Sequence, residues 1–258
     1  KMLGKEDTAV KGNLLSALAM FIAVLITFLD PDVQVNPFLI LAGIGVGAIV
    51  GSLIALKVKM TSIPEMVALF NGFGGLATFF IAWSEFNSVP DNTFQYVLIM
   101  LTTYIGGVTF SGSIVAYGKL SEKLKIQKTS VITKLFTTVF YVSLAFLLYT
   151  ILITPSIIPN FEFFTVLLVL TLLGGIGFVI PIGGGDMPVV ISLLNSFSGI
   201  AAAFAGLLLL NNVLIVAGSL VGASGLILTV IMAKAMNRSI GNILFVGYAS
   251  SPSGSKSE

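Results

Sequence analysis

The chain has no cysteine and no histidine, a single tryptophan, and charged residues at only 9% of its 258 positions. Without cysteine there is no disulfide framework and no thiol chemistry. Without histidine the chain lacks the side chain that titrates most readily near neutral pH, so any proton transfer must use carboxylates, water or a partner's residues. Scarce charge also excludes an ordinary soluble domain. What fills the sequence is apolar: 56% of residues are hydrophobic and the mean hydropathy is +1.06. The composition is that of an all-α polytopic membrane protein. There is no nucleophile constellation, metal cluster, nucleotide fold or nucleic-acid-binding pattern.

At roughly 20 apolar residues per crossing, hydropathy predicts eight transmembrane helices, at about 14–29, 37–56, 63–83, 93–118, 135–153, 161–182, 187–210 and 213–236. Chain breakers separate them, among them Asp30-Pro31, Pro90-Asp91, Pro155, Pro159 and Asn211-Asn212. When the connections are numbered alternately, every basic residue falls on one side: Lys1, Lys5, Lys11, Lys57, Lys59, Lys119 to Lys134, Lys234, Arg238 and Lys256. The other side carries only Asp30, Asp32, Glu85, Asp91 and Glu162. The positive-inside rule makes the basic side, and both ends of the chain, cytoplasmic. An odd number of spans would scramble this sorting.

The stretch Gly183 to Gly199, GGGDMPVVISLLNSFSG, has an earlier counterpart. A shift of 124 places Pro64 on Pro188, Leu69 on Leu193, Asn71 on Asn195, Phe73 on Phe197, Gly75 on Gly199, Ala77 on Ala201 and Phe80 on Phe204, seven identities in 17 positions. Shared membrane composition does not ordinarily yield so many, so the chain is expected to be two four-helix repeats. An even number of helices per repeat makes the copies parallel, related by an axis along the membrane normal. Ser111-Gly112 and Ser224-Gly225 extend the duplication at an offset of 113.

Each asparagine lies seven residues beyond its proline, about 10 Å into a hydrocarbon layer of roughly 30 Å. An unpaired amide there costs a few kcal/mol, so both should find partners, and an interhelical hydrogen bond is the plain reading. The functional reading is that Asn71 and Asn195 hold a water or a neighbouring titrating group. Ser111, Ser113, Thr109, Ser192, Ser219 and Ser224 lie within spans. Most are expected to bond their own backbone or permit close packing, and a subset, Ser111, Ser113 and Ser224, could line a water file. Ser62-Ile-Pro-Glu65 has the form of a capping box, and Asp186, aligned with Ser62, that of an N-cap. The alternative for Glu65 and Asp186 is an acidic group at a cytoplasmic mouth, made mobile in the second copy by Gly183 to Gly185. Gly43, Gly45, Gly47 and Gly51 lie inside a span without the spacing of a dinucleotide fingerprint, so close helix packing is expected of them, as of Gly174, Gly175 and Gly177.

Residues 1–246 are thus expected to form a transmembrane domain. The Gly, Ser and Lys rich stretch 247–258 is expected to be a linker, and a start at Lys1 reads as a cut from something longer. On these grounds the chain is a proton- or water-sized channel or coupling domain, a non-conducting scaffold, or an independent small-ion transporter.

The segments KVKMTSIPEMVALFNGFGGLA, TFSGSIVAYGKL, GGGDMPVVISLLNSFSGIAAAFAGLLLLNNVLIVAGSLVGASG and KAMNRSIGNIL resemble the membrane domain of the beta subunit of proton-translocating NAD(P) transhydrogenase over nearly the whole chain. The resemblance implies a complex in the bacterial inner membrane that couples hydride transfer between NADH and NADP+ to proton movement. It implies an alpha-subunit partner with membrane helices and an NAD-binding domain, an NADP-binding domain following the linker, and a dimeric assembly. NAD(H) and NADP(H) would be held by those other domains and none by this chain. Two departures stand out: one further amino-terminal helix usual in the family is missing, and Asn71 stands where many members carry a proton-handling histidine. The resemblance therefore implies a histidine from the alpha subunit near Asn71 and Asn195. It also carries a coupling role onto Asp186, beside Gly185, and a proton-path role onto Asn195.

Overall fold

A computed structural model describes residues 6–29, 36–88, 92–124, 131–153 and 161–244. The tail 247–258 lies outside these. Among the described residues the chain is helical, with no strand. It divides into two compact units, residues 1–58 and 59–258.

The first unit holds α1 (Glu6–Leu29) and α2 (Pro37–Lys57). The first helix begins at Glu6 rather than near Leu14, because the acidic residues at its start suit the positive end of a helix dipole. The second begins at Pro37, with the Asn36 side chain accepting from Phe38 N at 3.0 Å. A Cβ added at Gly43, Gly45, Gly47 or Gly51 would meet nothing within 4 Å, so the close packing expected of that run is not formed among the described residues.

The second unit runs from a 3-10 turn at Met60–Ser62 into α3 (Ile63–Asn87), then α4 (Thr93–Leu120), α5 (Val131–Ile153) and α6 (Phe161–Val179). A second 3-10 turn, Gly184–Asp186, leads into α7 (Met187–Leu208), α8 (Asn212–Ala235) and a short α9 (Ile240–Leu244) that hydropathy did not foresee. The helices α1 to α8 are long and apolar enough to cross a membrane. α6 stops at Val179 instead of continuing to residue 182, because Pro181 removes a backbone donor and disfavours helical geometry before it. Asn92 and Asn211 cap α4 and α8, accepting from Gln95 N at 2.9 Å and Leu214 N at 3.0 Å. The capping box at Ser62 is not made: neither Ser62 nor Asp186 forms a side-chain cap bond, and each sits instead in a 3-10 turn whose own bonds occupy the first amides.

The two 3-10 turns fall 124 residues apart, as do the starts of α3 and α7. α4 is the central helix, packing against α3, α5, α6 and α7. The contacts of α3 with α4 match those of α7 with α8, whereas α5 packs on α6 and the corresponding α1 and α2 have no comparable contact among the described residues, so the match covers half of each expected four-helix repeat. A Cβ on Gly75 would lie 2.7 Å from Gly106 O and 3.0 Å from Phe110 N; one on Gly199 would lie 2.9 Å from Gly218 O and run into Gly222 N. Gly106 and Phe110 therefore correspond to Gly218 and Gly222, an offset of 112 instead of the expected 113. Gly74 and Ser198, residues related by the shift of 124, meet between α3 and α7: a Cβ on Gly74 would be 3.0 Å from Ser198 Oγ.

Elsewhere the expected glycine packing is present. A Cβ on Gly175 would lie 2.8 Å from Val108 Cα of α4, and one on Gly177 2.8 Å from the Phe136 carbonyl carbon of α5. Apolar clusters occupy both ends of the bundle. Val179, Ile182, Met187 and Leu194 are buried at one, while Ile99, Met100 and Leu167 with the stacked Phe86 and Phe164 rings, 3.8 Å apart, fill the other.

Candidate functional site

Asn71 and Asn195 each precede the facing pair Gly74 and Ser198 by three residues, which puts them one turn away on the same helix faces. Both are partly buried. Asn71 Nδ2 donates to Ser113 Oγ at 3.2 Å, and Ser113 is fully buried. The serine fits because Gly72 opposite it has no side chain: a Cβ there would lie 3.0 Å from Ser113 Cβ.

Asn195 makes no side-chain hydrogen bond among the described residues. With the offset of 112, the residue matching Ser113 is Gly225, which has no hydroxyl to offer. A side chain cannot be restored there, since a Cβ on Gly225 would be 2.8 Å from Ser196 N and 2.9 Å from its Cα and Cβ. The small residue has changed sides, from Gly72 against Ser113 to Gly225 against Ser196. The Ser196 hydroxyl donates across the interface to Gly222 O at 2.6 Å, and Ser192 to Gly225 O at 3.2 Å. Two amides at one depth thus differ chemically: one has a hydroxyl partner, while the other has its two donors and its acceptor unused by any side chain among the described residues.

The remaining serines separate. Ser111 is buried but donates to Gly107 O of its own helix at 3.0 Å and lies against Gly175 of α6. At about 100° per residue it points some 200° away from Ser113 and does not join the asparagines. Ser224 is exposed and donates to Val221 O at 3.0 Å. Both therefore follow the plain reading of a backbone-bonded hydroxyl.

At the basic end of the bundle, Asp186 is buried with its carboxylate paired: Arg238 Nη2 donates to Asp186 Oδ2 at 2.9 Å. Arg238 is aimed by the end of α8, where Asn237 turns left-handed at φ 52° and Arg238 N donates to Ala233 O at 2.9 Å. Gly184 and Gly185 beside Asp186 are exposed, with nothing within 4 Å of an added Cβ. Glu65 is partly buried without a side-chain hydrogen bond or ion pair among the described residues, and its counterpart in the second copy is Val189, so the acidic mouth is not duplicated. Lys119 at the end of α4 donates from Nζ to Val179 O at 3.1 Å, to Ile182 O at 2.5 Å, and to Ile180 O.

Sequence reasoning missed Lys119, Arg238 and Ser196 as participants. Lys119 reads from spacing as one more inside charge, but Arg238 carries a signal, being the only arginine among 13 basic residues. A planar guanidinium suits a carboxylate better than an ammonium does. Among the described residues no group of three or more metal-ligating side chains comes together.

Comparison with known proteins adds the following. The family described as NAD(P) transhydrogenase beta subunit matches residues 1–258. Two curated relatives are named NAD(P) transhydrogenase subunit beta, one from Rhodospirillum rubrum and one from a named strain of that species. Each is 37% identical, over 96% of this chain and 54% of the relative. The chain spans about half the length of these curated relatives.

Proposed function

The chain belongs to the NAD(P) transhydrogenase beta-subunit family, and from that premise we propose that it is the membrane part that carries a proton while a complex transfers hydride between NADH and NADP+. The observation that carries this reading is the unequal asparagine pair, Asn71 bonded to Ser113 and Asn195 without a side-chain partner among the described residues, one turn from where Gly74 meets Ser198. A rigid scaffold has no need of an unpartnered amide a third of the way into hydrocarbon, where it costs about 1–3 kcal/mol. A group that gains and loses a proton does need one, since an amide can accept from its protonated form and donate to its neutral form.

With no histidine in the chain, the titrating group comes from the alpha subunit, brought against Asn195 with Asn71 holding the opposite side. At the cytoplasmic mouth, the Asp186–Arg238 pair joins the foot of α7 to the end of α8, from which the chain leads toward the NADP-binding domain. A redox-dependent shift of that domain would pull on Arg238 and, through Asp186, on the helix that bears Asn195. The nucleotides do not fit the described residues: there is no strand-turn-helix, and the run Gly43 to Gly51 lies in the middle of α2 rather than at a helix start. NAD(H) and NADP(H) belong to the other domains, the basic side is cytoplasmic, and the assembly is a dimer in the bacterial inner membrane.

The test is proton movement in proteoliposomes of the full-length subunit with its alpha partner during hydride transfer. Asn195→Leu is expected to cut protons moved per hydride at least about tenfold, the loss of roughly 1.4 kcal/mol of interaction with the charged form. Unchanged coupling would leave the bundle a scaffold.

A further inference from the structure

Just past the end of α6, within about one turn of backbone, the carbonyls of Ile180 and Ile182 have no backbone partner among the described residues, and that of Val179, which closes the helix, accepts only a turn bond from Ile182 N at 3.2 Å. In or near hydrocarbon each unpaired carbonyl costs about several kcal/mol. Lys119 satisfies both of these and adds a second donor at Val179. An ammonium has three donors and no acceptor, and here they reach the oxygens of Val179, Ile180 and Ile182. Its charge also sits at the negative end of the α6 dipole. The donor comes from α4, so the bond set fastens α6 to the central helix at the level where the chain turns toward α7.

Beyond this fastening, Ile182 and Met187 are buried, Gly184 and Gly185 are exposed with open space around them, and Asp186 is held by Arg238. The stretch between the two charged fastenings is three glycines long, held by the bonds of its 3-10 turn, Asp186 N to Gly183 O and Met187 N to Gly184 O, with no side chains of its own to pack. No positive φ is required of these glycines, so turn geometry does not account for the run. We propose that Lys119 is a positioning residue that fixes the α6 end of the Gly183–Gly185 hinge, confining any displacement of Asp186 to those glycines and directing it into α7. Without that anchor, the same pull would unwind the last turn of α6. The anchoring stands on geometry alone, and its consequence for proton coupling rests on the function proposed above.

The experiment measures amide hydrogen exchange across 176–190 and protons moved per hydride, in the full-length subunit assembled with its partner. Lys119→Met should speed exchange at Gly183–Met187 and the last turn of α6 about tenfold, leave α4 and the rest of α6 unchanged, and lower coupling. Lys119→Arg, which keeps the charge but holds its donors in one plane, should restore part of both. Faster local exchange with full coupling would keep the anchor and overturn its role in coupling. Unchanged exchange, or a rise spread evenly over α4 and α6, would overturn the proposal. Should Lys119→Met fail to assemble, Lys119→Gln, neutral with two donors, takes its place, and unchanged local exchange in that variant would overturn the proposal equally.

Discussion

Asp186 is mostly shielded from solvent and has one charged partner among the described residues, with side-chain exposures of 10% for Asp186 and 44% for Arg238. Removing the guanidinium strands a mostly buried carboxylate, whereas removing both charges strands nothing. Arg238→Met is expected to destabilise the bundle by about 1–3 kcal/mol, below the fully buried case because the arginine is half in solvent. The double variant with Asp186→Asn should recover most of that loss. Thermal unfolding of the purified full-length subunit in detergent checks both, and equal losses in the single and double variants would mean the pair contributes nothing to stability. The plain N-cap reading of Asp186 failed at this same scale, because a cap is a local device and its competitor, Arg238, lies 52 residues away.

At the scale of the helix, glycines that look alike in sequence divide into two kinds. Gly199 lies where α7 and α8 touch backbone to backbone, so Gly199→Ala must push the helices apart, at a cost of about 1–3 kcal/mol. Gly185 has open space and a negative φ, so Gly185→Ala should leave stability unchanged or raise it by about 0.4–1 kcal/mol through a less flexible unfolded chain. Unfolding midpoints of the two variants should therefore move in opposite directions, or the first fall while the second stays. A fall of the same size in both would refute the close α7–α8 contact as the reason. Much at this scale was legible beforehand. A span must satisfy its backbone within itself, so hydropathy and the proline and asparagine breakers suffice to locate it. The ends were less legible: α6 stopped early at Pro181, and α1 began early at Glu6.

Across the whole molecule the chain has no cysteine, which makes its sidedness measurable without background. A membrane-impermeant maleimide should label Ser88→Cys from the outer face and Ser121→Cys only in inverted vesicles. Labelling of both from one face would refute the eight-span alternation and with it the parallel repeat. The likeness of the α3–α4 pair to the α7–α8 pair is visible at two levels, in the identities shifted by 124 and in the matched 3-10 turns and glycine contacts. Its departures from symmetry are where the candidate site lies: Ser113 against Gly225, Glu65 against Val189.

The sequence by itself determined the membrane class, the eight crossings, the family likeness and the alignment of α3 with α7, because helix formation in a bilayer is local and duplication is written position by position. It could not determine which residue faces which across a helix interface. That depends on crossing geometry, where a one-residue slip turns a side chain by about 100°; the offset of 112 between α4 and α8, which leaves Asn195 without the serine that Asn71 has, came only from the packed structure. The same holds for Lys119 on the carbonyls of α6 and Arg238 on Asp186. Each joins groups that no local pattern connects, and only tertiary packing brings a donor from one element to an unsatisfied acceptor on another.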